Sequence, residues 1–128
     1  MLNQSGITKV NGTAPVQILF NVQNQMSVGV KIAKNFAGAV TENGRKIVKA
    51  GTPLTGDLTV RDTAFTAAGA SDAVGILLHD VDVTDNDANC SLLIWGFVNL
   101  NRIDSTTAAK INAGVKTALA GKVWFLKD

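Results

Sequence analysis

His79 and Asp80 stand side by side, and they are the one pair in this chain whose side chains suggest acid–base work. A catalytic His–Asp couple needs a nucleophile and an oxyanion site within reach. Adjacent residues on a strand point to opposite faces, so the two cannot serve one centre. The pair reads as a solvated or interface histidine next to a turn carboxylate. Asp80, Asp82, Asp85, Asn86, Asp87 and Asn89 then crowd oxygen donors into a short run, the donor type a hard cation such as Ca²⁺ takes. Asp85 occupies the place where an EF-hand loop needs its glycine, and Ser91 the place of its bidentate glutamate. The favoured reading is a hairpin turn in which Asp and Asn stabilise tight backbone conformations and keep the loop soluble. The alternative is a small β-rich module binding a ligand or cation through this turn, with Asp80, Asp82, Asp85 and Asp87 as weak metal candidates.

The remaining chemistry is thin. Cys90 is the sole cysteine, which excludes an internal disulfide. It lacks a base at nucleophile spacing and reads as a buried strand thiol. The glycine-bearing stretches AGTPLTG (Ala50 to Gly56) and AAGASD (Ala67 to Asp72) lack the lysine and helix opening of a phosphate cradle. No catalytic residue and no cofactor is expected, and the chain reads as a non-enzyme.

The elements that carry these residues are mostly strands. Val16, Ile18, Phe20 and Val22 alternate with polar residues, and Val28, Val30 and Ile32 repeat the pattern. Gly38 and Glu42-Asn43-Gly44 mark turns; Lys46 to Ala50 and Leu58 to Arg61 read as short strands, and 66–72 as a loop. Asp72 to Ile103 reads as two long strands joined by the acidic turn. In the first, Val74, Ile76 and Leu78 share one face, with Leu77, His79, Val81 and Val83 on the other. In the second, Leu92, Ile94, Val98 and Leu100 oppose Leu93, Trp95 and Phe97. Strands apolar on both faces need cover on both sides, which a terminal helix or a neighbouring subunit would supply. Leu93, Trp95 and Phe97 are therefore candidates for core or subunit interface. Ser105 is placed to cap a helix through Ala108, Ile111, Val115 and Ala118, with Gly114 a possible break and Gly121 its end. Lys122 to Lys127 returns as a last strand. The expected class is mainly β, a small barrel or sandwich-like domain over 15–128, with one helix near the C-terminus and an extended, flexible N-terminal arm over 1–14.

Composition narrows the function. Charged residues are only 17% of the 128 and hydrophobic ones 46%, so a lone monomer would struggle to cover its surface with polar groups. That favours a subunit burying part of its outside against other copies or another protein. A net charge of +2 without a basic cluster argues against nucleic acid. No segment has the length of a membrane span, and the first residues lack a signal-peptide pattern.

Three segments carry a family resemblance: KIVKAGTPLTGDL (Lys46 to Leu58), DAVGILLHDVDVT (Asp72 to Thr84) and LLIWGFVNLNRI (Leu92 to Ile103). Together they resemble the head-fibre and head-decoration proteins of tailed bacteriophages. The resemblance spans roughly residues 46 to 103, and its motifs are packing motifs. It implies a virion structural protein on the outer capsid surface, made in the host cytoplasm and bound to the major capsid protein as a homotrimer. No long fibre extension follows Asp128, so a "fibre" here would be a compact knob or a capsid-binding part. Within the arm, Ile7, Thr8, Lys9 and Val10 form a strand-compatible stretch suited to adding to a coat-subunit sheet edge.

Overall fold

A computed structural model describes residues 17–60, 63–69 and 71–127. The expected arm and its capsid-binding stretch Ile7 to Val10 lie outside them. The described chain is mainly β, built from β1 (Met26–Ile32), β2 (Val40–Glu42), β3 (Arg45–Val48), β4 (Pro53–Thr55), β5 (Ala64–Ala67), β6 (Gly75–Leu77), β7 (Val81–Asp82), β8 (Ala88–Asn99) and β9 (Val123–Leu126). Six of them form one sheet in the order β9-β8-β1-β5-β4-β6, and β6 pairs back onto β8 to give a small, partly closed barrel. β2, β3 and β7 form a second, three-stranded sheet. Its tight hairpin turns at Asn43 and Gly44, both at positive φ (53° and 77°), as a two-residue loop of this kind requires.

The two long strands expected from Asp72 to Ile103 differ in their fates. β8 is a single run of twelve residues. The first is cut into β6 and β7, which belong to different sheets, so the pair is not one hairpin through the acidic turn. β6 lies antiparallel to β8, with Ile76 opposite Leu93 and Leu77 opposite Leu92, whereas β7 pairs with β3. The bend at Leu78–Asp80 is fixed by Asp80, whose carboxylate accepts the Ala50 amide at 2.7 Å. A local side-chain acceptor thus takes the chain out of one sheet and into the other.

Burial on both faces of these strands is as the apolar pattern demands. Leu92 and Leu93 are neighbours on opposite faces and both are fully buried. Leu92 joins Ile32, Leu54, Phe65, Leu77, Val81 and Val83 in one core. Leu93 joins Ile76, Leu78, Val98 and residues of the helical segment in another. A fully buried aliphatic side chain contributes about 1.5–3 kcal/mol, so each face of β8 helps to anchor its own layer.

The helical segment is two short helices rather than one. Asp104, not Ser105, is the N-cap of α1 (Ser105–Ala108), accepting the Thr107 amide. Asn112 caps α2 (Ala113–Ala118) by accepting the Val115 amide at 3.0 Å. The interruption falls before Asn112, because its side chain competes for backbone donors and starts a new helix. Gly114 sits within the first turn of α2.

Three further expectations are corrected. Residues 18–22 are not a strand: Leu19 makes one bridge to Val98, after which Asn21 accepts the Gln23 and Asn24 amides and turns the chain. Leu58 to Val60 is a turn started by Asp57, whose carboxylate accepts the Thr59 amide. Thr66 and Ala67, read as loop, are in β5, where small residues pair with β4.

Candidate interaction face

β8 changes faces part-way along. Ser27 of β1 is opposite Leu93, yet Met26 is opposite Trp95, so Ile94 is an extra residue and β8 carries a β-bulge. Gly96 follows at φ 155°, a region that excludes most side chains, and a Cβ there would lie 3.1 Å from Leu93 Cδ1 and 3.2 Å from Gln25 Cβ. The bulge reverses the alternation. Val98 ends on the side of Leu93, in the helix-covered core, while Trp95 and Phe97 point the other way.

This corrects the grouping of Leu93 with Trp95 and Phe97. Leu93 is core. Trp95 is 40% exposed and Phe97 half-buried. β9 lies parallel to β8 with Trp124 opposite Phe97, and the Phe97 and Trp124 rings stack at 5.1 Å. Trp95 meets both edge-on, each at 5.9 Å. Met26 sits opposite Trp95 at 57% exposure, and Phe20, whose amide donates to the Phe97 carbonyl at 2.8 Å, is 47% exposed. Leu126 follows Trp124 on the same side of β9 and is also exposed. Trp124, Met26 and Phe20 were missed as site residues. The alternation within Val123-Trp124-Phe125-Leu126 was the available signal for Trp124 and Leu126, whereas nothing local announced Phe20.

Beside the barrel lies a groove of about 590 Å³ whose lining mixes Val28, Leu58, Phe65 and Ile94 with Lys31, Asp57 and Asn89. Monomeric proteins rarely leave contiguous apolar patches beyond a few hundred Å². At the roughly 150–250 Å² that an aromatic side chain presents, Phe20, Trp95 and Trp124 alone leave roughly 200–300 Å² uncovered, before Met26 or Leu126 is counted.

The acidic residues are spread among separate partners. Asp80 meets the Ala50 amide and the Lys49 ammonium, the latter at 3.4 Å. Asp82 receives Arg45 Nε at 2.8 Å and the Thr84 amide at 2.9 Å. The Arg45 hydrogen bond, reinforced by Thr84, holds the Asp82 carboxyl down to about 2. Asp85 shares the same guanidinium at 3.3 Å, and Asp87 accepts the Lys34 amide at 2.9 Å. Among the described residues no group of three or more His, Cys, Asp or Glu is placed to hold a metal ion. His79 is exposed. Cys90 is half-buried against the barrel core, and desolvation pushes its thiol up to about 11, away from the reactive thiolate. No helix among the described residues is long and apolar enough to cross a membrane.

No protein-family model matches the chain, and no curated protein matches it.

Proposed function

We propose that this chain is a non-enzymatic structural subunit of a tailed-phage virion, which associates as a homotrimer and decorates the outer surface of the capsid. The observation that carries the reading is the exposed aromatic face of Trp95, Phe97 and Trp124 with Met26 and Phe20 around it. Such a face supplies the apolar centre of a subunit contact, where large aromatics dominate the energy. The resemblance of segments 46–58, 72–84 and 92–103 to head-decoration proteins supplies the identity of the assembly. These segments fall on β3, β4, β6, β7 and β8, which contribute to both sheets. Closed cyclic symmetry would let three modest capsid contacts act together through effective concentration. The arm expected over 1–14 would contribute one such contact per subunit.

The direct test incubates the purified protein with purified tailed-phage capsids and images them by cryo-electron microscopy. Added density on the outer surface at three-fold positions supports the reading. Bare capsids at saturating protein, across mature and expanded shells, contradict it.

A further inference from the structure

The described residues include two sulfur atoms, on Met26 and Cys90, and the fold treats them in opposite ways. Cys90 is half-buried against the barrel core, and desolvation pushes its thiol up to about 11, so little of it is nucleophilic thiolate. Met26 is 57% exposed, the most open large hydrophobic side chain among the described residues. A thioether needs no deprotonation to react, so exposure governs whether an oxidant reaches it. Met26 is therefore the sulfur of this fold that a peroxide meets first.

Its place is set by the bulge. Ser27 stands opposite Leu93, and the extra residue Ile94 brings Met26 opposite Trp95. Directly opposed residues of an antiparallel pair carry their side chains on one face, with Cβ atoms about 4.5–5.5 Å apart. Met26 thus shares the face of Trp95, whose ring meets Phe97 and Trp124 edge-on. The irregularity that turns these rings outward also brings the thioether to them. Contacts between methionine sulfur and aromatic rings are favourable, and the flexible side chain adapts to binding surfaces.

We propose that Met26 is an oxidation site that governs self-association: a hydroperoxide converts its thioether to the sulfoxide on the free subunit, and the sulfoxide keeps subunits apart. The contact rests on the proposed function, in which copies meet through the aromatic face; the reactivity of Met26 does not. The sulfur gives a lone pair to one peroxide oxygen, and the O–O bond breaks as the S–O bond forms. The proton of the transferred oxygen passes to the departing one. Methionine is oxidised by an electron pair, and hydrogen peroxide is reduced to water. The product replaces an apolar atom with a strong hydrogen-bond acceptor. In a contact built from aromatic rings that oxygen either keeps its water, which holds the copies apart, or loses it at a cost in free energy. In an assembled trimer the same contact covers Met26, so association and oxidation compete.

The test treats the full chain with hydrogen peroxide and follows it by sedimentation and by mass spectrometry of tryptic peptides. Cleavage after Lys9 and Lys31 puts Met1 in peptide 1–9 and Met26 in peptide 10–31, so the two methionines are read separately. The result expected is a sulfoxide in peptide 10–31 that forms faster in dilute than in concentrated protein. The dissociation constant for self-association should rise at least about tenfold. Far-ultraviolet circular dichroism should stay unchanged, and methionine sulfoxide reductases with a thiol reductant should restore association. M26L, which keeps the volume without the sulfur, should associate as the parent does and ignore peroxide. Full oxidation of Met26 with association unchanged overturns the proposal and leaves the subunit contact standing. An equal loss in M26L, or a loss that comes with unfolding, also overturns it. So do equal rates of oxidation at both dilutions, which would place Met26 outside the contact. An untreated chain that sediments as a single copy at every concentration removes the contact itself, and the switch with it.

Discussion

Leu93 and Trp95 lie two residues apart on one strand and should respond to truncation in different ways. Leu93 is fully buried, so L93A should cost about 2–5 kcal/mol in the chemical denaturation of the chain, with the spread set by how far the site relaxes. Trp95 and Trp124 keep more than a third of their surface open. W95A and W124A should therefore leave the fold of the single chain intact, at a cost below about 2 kcal/mol, and instead raise the concentration at which subunits associate. G96A tests the bulge between them. A non-glycine residue at φ 155° with Leu93 and Gln25 in contact should lose about 1–3 kcal/mol and shift the near-ultraviolet signal of both tryptophans. At Asp82 the sign is set by a depressed carboxyl: its stabilising contribution is fully present above the ordinary carboxylate range and is lost as pH falls toward about 2. An NMR titration should place its midpoint near 2 and move it upward in R45A. A midpoint in the ordinary range in the intact protein would remove the Arg45 contact from the account.

At the scale of elements, Asp80 does the work that was assigned to a solvated turn. It fixes the bend between β6 and β7 by taking the Ala50 amide, so D80A should cost about 1 kcal/mol or more and D80N, which keeps an acceptor, distinctly less. Equal melting temperatures for the two variants and the parent would show that the corner holds without it. Much of this scale was legible beforehand. Alternation located β1 and the apolar faces of β6 and β7, because a period of two follows directly from the pleat, and the short apolar run after Gly121 located the last strand. Both-faced burial of Leu92 and Leu93 was equally plain. Two things were not. A long apolar run does not announce that its strand leaves one sheet for another, because the corner at Leu78 to Asp80 depends on the Asp80 bond to the distant Ala50 amide. Nor does it announce the bulge at Ile94, which reverses every later side chain and parts Trp95 and Phe97 from Leu93, with which they were grouped as core or subunit interface. The helix break was misplaced for a related reason: Gly114 is a poor helix former, but Asn112 is a strong cap, and the cap decided.

For the whole molecule, the low charge content foretold uncovered apolar surface without saying where, since that depends on β9 meeting β8 beside Phe97. The central claim is that this aromatic face holds three copies together. Sedimentation equilibrium of the purified protein at micromolar concentration tests it in one measurement. The account predicts a mass of about 40 kDa, three copies of the 13.4 kDa chain. A single species of 13.4 kDa under the same conditions would contradict it.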